Sequence, residues 1–226
     1  KAILGGAYDP ITGLMRDDLR ALAEFPLEEP FSNFSAFGNG TPANPFTHRN
    51  GGGGETIPAT LLDDQPSSDN DIVDWAFLEL RSKADSSVVA TRSALFQRDG
   101  DIVDTTGMCP VGFPVIPDDY FLAVKHRNHQ GVMTRNVLSL STITTNYDFT
   151  NISTPTFGEF AQDTIDGINP IPDKTVMYGG AGFGNGDLIY QGPNNVLDVP
   201  FFNLIIAGLG PGNTLPGYFA GDFDLN

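Results

Sequence analysis

Three groups of residues have types and spacings that could do chemistry. The first is Asp222-x-Asp224-x-Asn226. Short oxygen ligands at positions one, three and five of a loop converge on a hard cation, so Asp222, Asp224 and Asn226 are expected metal ligands and calcium the expected cofactor. The glycine and later carboxylate that complete such a loop do not follow, so further residues or another chain are expected to supply them. The second group is His126 and His129. On a strand, three-residue spacing sends them to opposite faces, and neither a cysteine nor a third histidine is near, so a structural or surface role is expected. The third group is the carboxylate pairs Asp74 with Glu79 and Asp99 with Asp101. They could serve glycoside chemistry, but the chain holds 22 Asp and 6 Glu, so such pairs arise by chance. Neither G-x-S-x-G nor H-E-x-x-H occurs, and nothing arranges Ser, His and Asp as a triad. The glycines at 51–54 are not followed by Lys-Ser/Thr and no strand–helix frame surrounds them, so they are not a phosphate loop. The expectation is that this is not an enzyme.

The elements that would carry these residues centre on residues 69–133. Tyr120, Leu122, Val124 and His126 alternate with Phe121, Ala123, Lys125 and Arg127, a strand period. Val88, Ala90, Ala94 and Phe96 share a face of a second strand, with Arg92 the exception. Residues 72–80 are apolar on both faces, as in a strand covered on both sides. Trp75, the only Trp, is the expected packing anchor. Asp99-Gly100-Asp101 and residues 128–131 read as turns. The fold class predicted is all-β, an antiparallel, jelly-roll-like β-sandwich with long loops and at most one short helix near the N-terminus. Residues 1–175 form the sandwich, and 176–226 form an extension packed on it. Residues 1–8 read as a first strand, 14–25 as a short helix or helical turn stopped by Pro26, 56–62 as an edge strand because Pro58 cannot donate, and 132–145 as a long strand. Phe31, Phe34, Phe37 and Phe46 sit in a long polar loop and are expected to pack back onto the body, with contact to a partner as the alternative.

The stretches IVDWAFLELR, ATRSALFQRDGDIVD and YFLAVKHRNHQGVMT resemble a domain found near the C-termini of large secreted and surface proteins of Bacteroidetes-type bacteria. The likeness runs from GAYDPITGLMRDDLR to GDLIYQGPNN and GYFAGDFDLN, most of the chain. It implies a secreted, surface-associated, non-catalytic domain. MYGGAGFGNGDLIYQGPNN and GYFAGDFDLN resemble two copies of one acidic turn similar to dockerin-type calcium loops. In the first copy Ala181 and Phe183 stand where the family tends to have Asp and Asn. Only Asn185 and Asp187 remain, so no metal is expected there.

The length of 226 residues suits one large β domain, and 26 Gly with 17 Pro suit many turns. A net charge of −16 argues against nucleic acid and against an anionic membrane. The acidic surplus reads either as a solvated surface or as calcium sites. One cysteine, Cys109, allows no disulfide within the chain and reads as structural. No apolar run is long enough to span a membrane. Lys1 is expected to be a mature N-terminus or the first ordered residue, and Asn151-Ile152-Ser153 is only a formal glycosylation acceptor. The function expected is an extracellular or cell-surface structural protein, calcium-stabilised, that assembles with copies of itself, as in a filament, through strand-edge and loop contacts. The alternative is a carbohydrate-binding module with glycans as partners, using exposed aromatics among Trp75, Tyr120, Tyr147, Tyr178 and the loop phenylalanines.

Overall fold

Strands form where the sequence is densest in β-branched and aromatic residues, and the computed structural model describes them within residues 1–34, 44–63, 67–180, Tyr218 and Leu225. In chain order they are β1 (Tyr8–Asp9), β2 (Leu14–Met15), β3 (Ile72–Ser82), β4 (Val88–Gln97), β5 (Ile102–Val103), β6 (Asp118–Lys125), β7 (Val132–Met133), β8 (Leu138–Leu140), β9 (Asp163–Ile165) and β10 (Lys174–Val176). The chain is mostly β with antiparallel sheets, and the described residues contain no α-helix. One six-stranded sheet has the order β5-β4-β3-β6-β7, with β8 also on β6; β1-β2 and β9-β10 are separate two-stranded pairs. All of these sheets are open.

The central strands follow the sequence pattern. β3 is buried from Ile72 to Leu80, which is why both of its faces are apolar. Trp75 and Phe77 point to the first face, opposite Leu95 and Ser93 of β4. The long loop covers this face: Phe31 and Phe46 are buried, with ring centroids 5.2 Å from Phe77 in both cases. Phe34 meets Phe46 edge to face; Phe37 lies outside the described residues. The indole of Trp75 donates to the Pro26 carbonyl at 2.9 Å, so the large apolar body is buried and its one polar atom is satisfied. Gly100, at φ 86°, turns β4 back into β5.

The glycines at 51–54 all take positive φ and lay the chain along the outer edge of β4. The Thr91 amide donates to the Arg49 carbonyl at 2.9 Å, and the Ser93 amide to Glu55 at 3.1 Å. A Cβ at Gly52 would come within 2.8 Å of the Thr91 carbonyl. The tetrad is therefore edge protection for a strand that would otherwise offer free backbone groups.

One local expectation holds only in its weaker form and three fail. Residues 14–25 give the helical turn and not the short helix. The Met15 amide donates to the Arg98 carbonyl and the Arg16 amide to Ala7, and only Asp18–Ala21 winds, as a 3-10 turn. Tertiary pairing overrides a short amphipathic pattern that could not nucleate alone. Residues 56–62 give one bridge, Glu28 with Thr56, then a 3-10 turn at Ala59–Leu62; Pro58 has no amide hydrogen with which to extend pairing. Residues 132–145 break into β7 and β8 because Arg135 leaves β6 to donate to the Pro155 carbonyl. The first segment is buried at Ala2, Ile3 and Leu4 but makes only a parallel bridge from Leu4 to Met177 before β1.

Candidate functional site

The second face of the large sheet carries two contrasting regions. At one end Asp74 of β3 projects beside Phe96, and β6 delivers His126 and then turns. His129 therefore folds back instead of continuing along a strand, and its Nδ1 lies 3.1 Å from His126 Nδ1. The expected separation of the two histidines onto opposite faces is thus wrong, because the chain leaves the strand after Lys125. Both rings are buried, as are Asp74, Arg127 and Asn128.

The hydrogen bonds set the tautomers. The Gly6 amide donates to His129 Nε2 at 3.1 Å, so in the neutral ring the proton sits on Nδ1, facing Asn128 Oδ1 at 2.8 Å and His126. His126 Nδ1 then accepts, and its Nε2–H donates to Asp74 Oδ2 at 3.0 Å. Arg127 Nε donates to the same oxygen at 3.0 Å, and the Tyr218 hydroxyl donates to Asp74 Oδ1 at 2.5 Å. The Arg127 guanidinium lies 4.0 Å from the Tyr218 ring centroid, a cation–π contact. Burial works against ionisation of Asp74, but Arg127 and the hydrogen bonds from His126 and Tyr218 outweigh it and hold the carboxyl well below the usual range. Burial lowers the pKa of His126. Burial and then the neighbouring charges of His126 and Arg127 lower that of His129 further. Burial, then the charge of Asp74, raises the Tyr218 phenol well above its ordinary value.

This cluster fastens chain segments. It holds Gly6, the 126–131 turn and Tyr218 to β3, and the neighbouring Asn128 carbonyl accepts from the Gly180 amide at 3.0 Å. Asp74, His126, Arg127 and His129 are buried, and Tyr218 is half-buried against them.

At the other end of the same face, Leu78 and Leu80 of β3 lie opposite Val124 and Leu122 of β6. They floor an open groove of about 740 Å³. Its walls come from within residues 102–117 and 138–149, and among the described residues its charged lining side chains are Lys1 and Asp101, whose charges pair at 3.3 Å. Met108, Ile116 and Ile143 stand on the rim at 82%, 74% and 78% exposure. Prolines at 110, 114 and 117 deny one wall the amides needed to cover the face as a strand. Chemically the groove suits an apolar, extended occupant.

The other predicted residues fall elsewhere. Asp74 and Glu79 lie on opposite faces, Glu79 being held by Arg81 and Lys125 on the first. Asp99 and Asp101 share Lys1. Cys109 is exposed. Trp75 is fully buried and Tyr120 nearly so, which removes both as stacking platforms. Asp222, Asp224 and Asn226 lie outside the described residues, as do Asn185 and Asp187. Among the described residues no group of three or more His, Cys, Asp or Glu could hold a metal, and no helix is long and apolar enough to cross a membrane. Arg127 and Tyr218 were not singled out from the sequence, although a cation directly after a strand is a readable signal. The groove walls left one too: residues 105–117 and 136–147 carry no charged side chain. No family model, curated protein or solved structure matches the chain.

Proposed function

We propose that this chain is an extracellular or cell-surface structural subunit that assembles with copies of itself through strand-edge and loop contacts, rather than an enzyme. The observation that carries this reading is the unequal treatment of the sheet's two edges. Residues 49–55 blunt the β4 edge. On the other side β8 ends at Leu140, and residues 141–146 continue exposed and make no backbone–backbone hydrogen bond with the described residues; the Ile143 amide donates to the Ser141 hydroxyl. Unpaired backbone next to a sheet is a template for strand addition by another chain. A repeated head-to-tail contact of this kind gives a filament when its rotation does not close. In this reading the sandwich expected from the sequence gains its missing cover on assembly, and calcium at Asp222, Asp224 and Asn226 stabilises the chain. Nucleic acid and the membrane interior are not partners.

Sedimentation velocity over a hundredfold range of concentration, with negative-stain microscopy of the same samples and a chelator control, tests this. Concentration-dependent growth into regular fibres is expected. A monodisperse monomer at every concentration, with and without calcium, would sink the proposal.

A further inference from the structure

Resting on the self-assembly reading, we infer that the groove on the second face is the acceptor for an apolar strand donated by a second copy of the chain, and that residues 199–207 are the donor. Copies that each carry a charge of −16 repel one another, so a stable contact between them must fall where charge is absent. The acceptor meets that condition. Two uncharged runs, residues 105–117 and 136–147, build most of its walls, and among the described residues its charged lining side chains, Lys1 and Asp101, are already paired with each other.

The sequence offers a matching donor. Residues 199–221 hold no charged side chain, the longest such run in the chain. Within it Val199, Pro200, Phe201, Phe202, Asn203, Leu204, Ile205, Ile206 and Ala207 are rich in β-favouring residues. In an extended chain Phe202, Leu204 and Ile206 share one side, so three large apolar side chains meet the floor of Leu78, Leu80, Leu122 and Val124. The donor backbone meets residues 141–146, which are exposed and make no hydrogen bond to other described backbone, the Ile143 amide exchanging its bond to the Ser141 hydroxyl for one to the donor. Affinity comes from that ladder together with burial of Met108, Ile116 and Ile143; register comes from the side chains in the groove. Acceptor and donor lie on different parts of the chain, so the contact is heterologous and propagates.

Cys109 follows Met108 at the rim and is exposed, which supplies a native reporter. Unmodified chain is mixed with a size-tagged chain carrying Cys109→Ser and Leu204→Cys, oxidised mildly, and digested for mass spectrometry. The expected product is a disulfide from position 204 of the tagged chain to Cys109 of the other, at least tenfold above that from a tagged Cys109→Ser, Ile11→Cys control. Ile143→Asp in the acceptor alters an exposed residue and should reduce the product at least tenfold without changing the circular dichroism spectrum. Cross-linking no greater than the control overturns the inference. So does a product insensitive to Ile143→Asp, or a chain with Leu204→Cys and native Cys109 that closes only on itself. If fibres form while the mixed disulfide is absent, the groove inference fails and the assembly reading stands. If neither appears, both fail.

Discussion

The two ends of the sheet's second face solve opposite problems with the same strands. At the Asp74 end β3 and the turn after β6 bury an anion, a guanidinium and two neutral imidazoles, and the anion accepts from His126, Arg127 and Tyr218. At the Leu80 end the same two strands present only aliphatic side chains and leave them under an open groove. A buried ion pair is poor glue but a strict one: its groups tolerate one arrangement, because any other leaves a charge unpaired in low dielectric. An aliphatic floor is permissive and accepts whatever apolar surface fits. The first region therefore fixes how the chain closes on itself, and the second is free to make contact outward.

That contrast can be broken most sharply at Asp74. Asp74→Ala removes the partner of Arg127, His126 and Tyr218 at once and should cost about 3–5 kcal/mol, the usual loss when a buried pair is split. Urea unfolding measures it; a loss below 1 kcal/mol would mean that the cluster does not fasten the chain. Tyr218→Phe should cost less, about 1.5–3 kcal/mol, since it deletes one hydrogen bond to a charged group and keeps the ring over Arg127 and against Phe25. An unchanged denaturation midpoint would show that this tether contributes nothing.

Acid titration addresses the same end of the face. His126 and His129 face Asp74 of β3, Arg127 and Asn128 of the turn, Tyr218 and the Gly6 amide, and both have pKa values below their ordinary 6.5. The folded chain therefore holds them neutral while the unfolded chain takes up protons below pH 6.5, so their stabilising contribution is complete above that pH and declines as pH falls beneath it. Asp74, Asp71 and Glu29 have lowered values, so their contributions are lost only nearer the ordinary carboxylate range, at lower pH. The urea midpoint should drop between pH 7.5 and 5.0, and His129→Gln should flatten that drop. An equal drop in both chains would place the sensitivity outside the cluster.

The sequence disclosed these two ends unequally. β3, β4 and β6 were legible because hydrophobic pattern alone specifies a covered central strand, and the turn at Gly100 because its φ requires glycine. The cluster was not legible. Asp74 meets His126 at a separation of 52 residues and Tyr218 at 144, and no local pattern encodes contacts that only the assembled sheet creates. Residues 14–25 keep only a helical turn for the same reason: Met15 is claimed by Arg98, far along the chain. The groove was half legible, since its uncharged walls could be read but their placement over Leu78 and Leu80 could not.

The smallest expected effect on folding is the most informative about the open end. Ile143 is 78% exposed, so Ile143→Asp should change unfolding free energy by no more than about 0.5 kcal/mol, as for most surface substitutions. In a monomer that serves only itself, the change would be silent or mildly favourable, because it replaces exposed apolar surface with charge. If the groove is where copies meet, the same substitution places a carboxylate where an apolar strand must dock, and a buried unpaired charge there costs several kcal/mol. Unfolding would then be unaltered while the sedimentation coefficient stays that of a monomer at concentrations where the unmodified chain grows. Unimpaired growth would show that the aliphatic end of the face is simply unfilled space and that assembly, where it occurs, uses another surface.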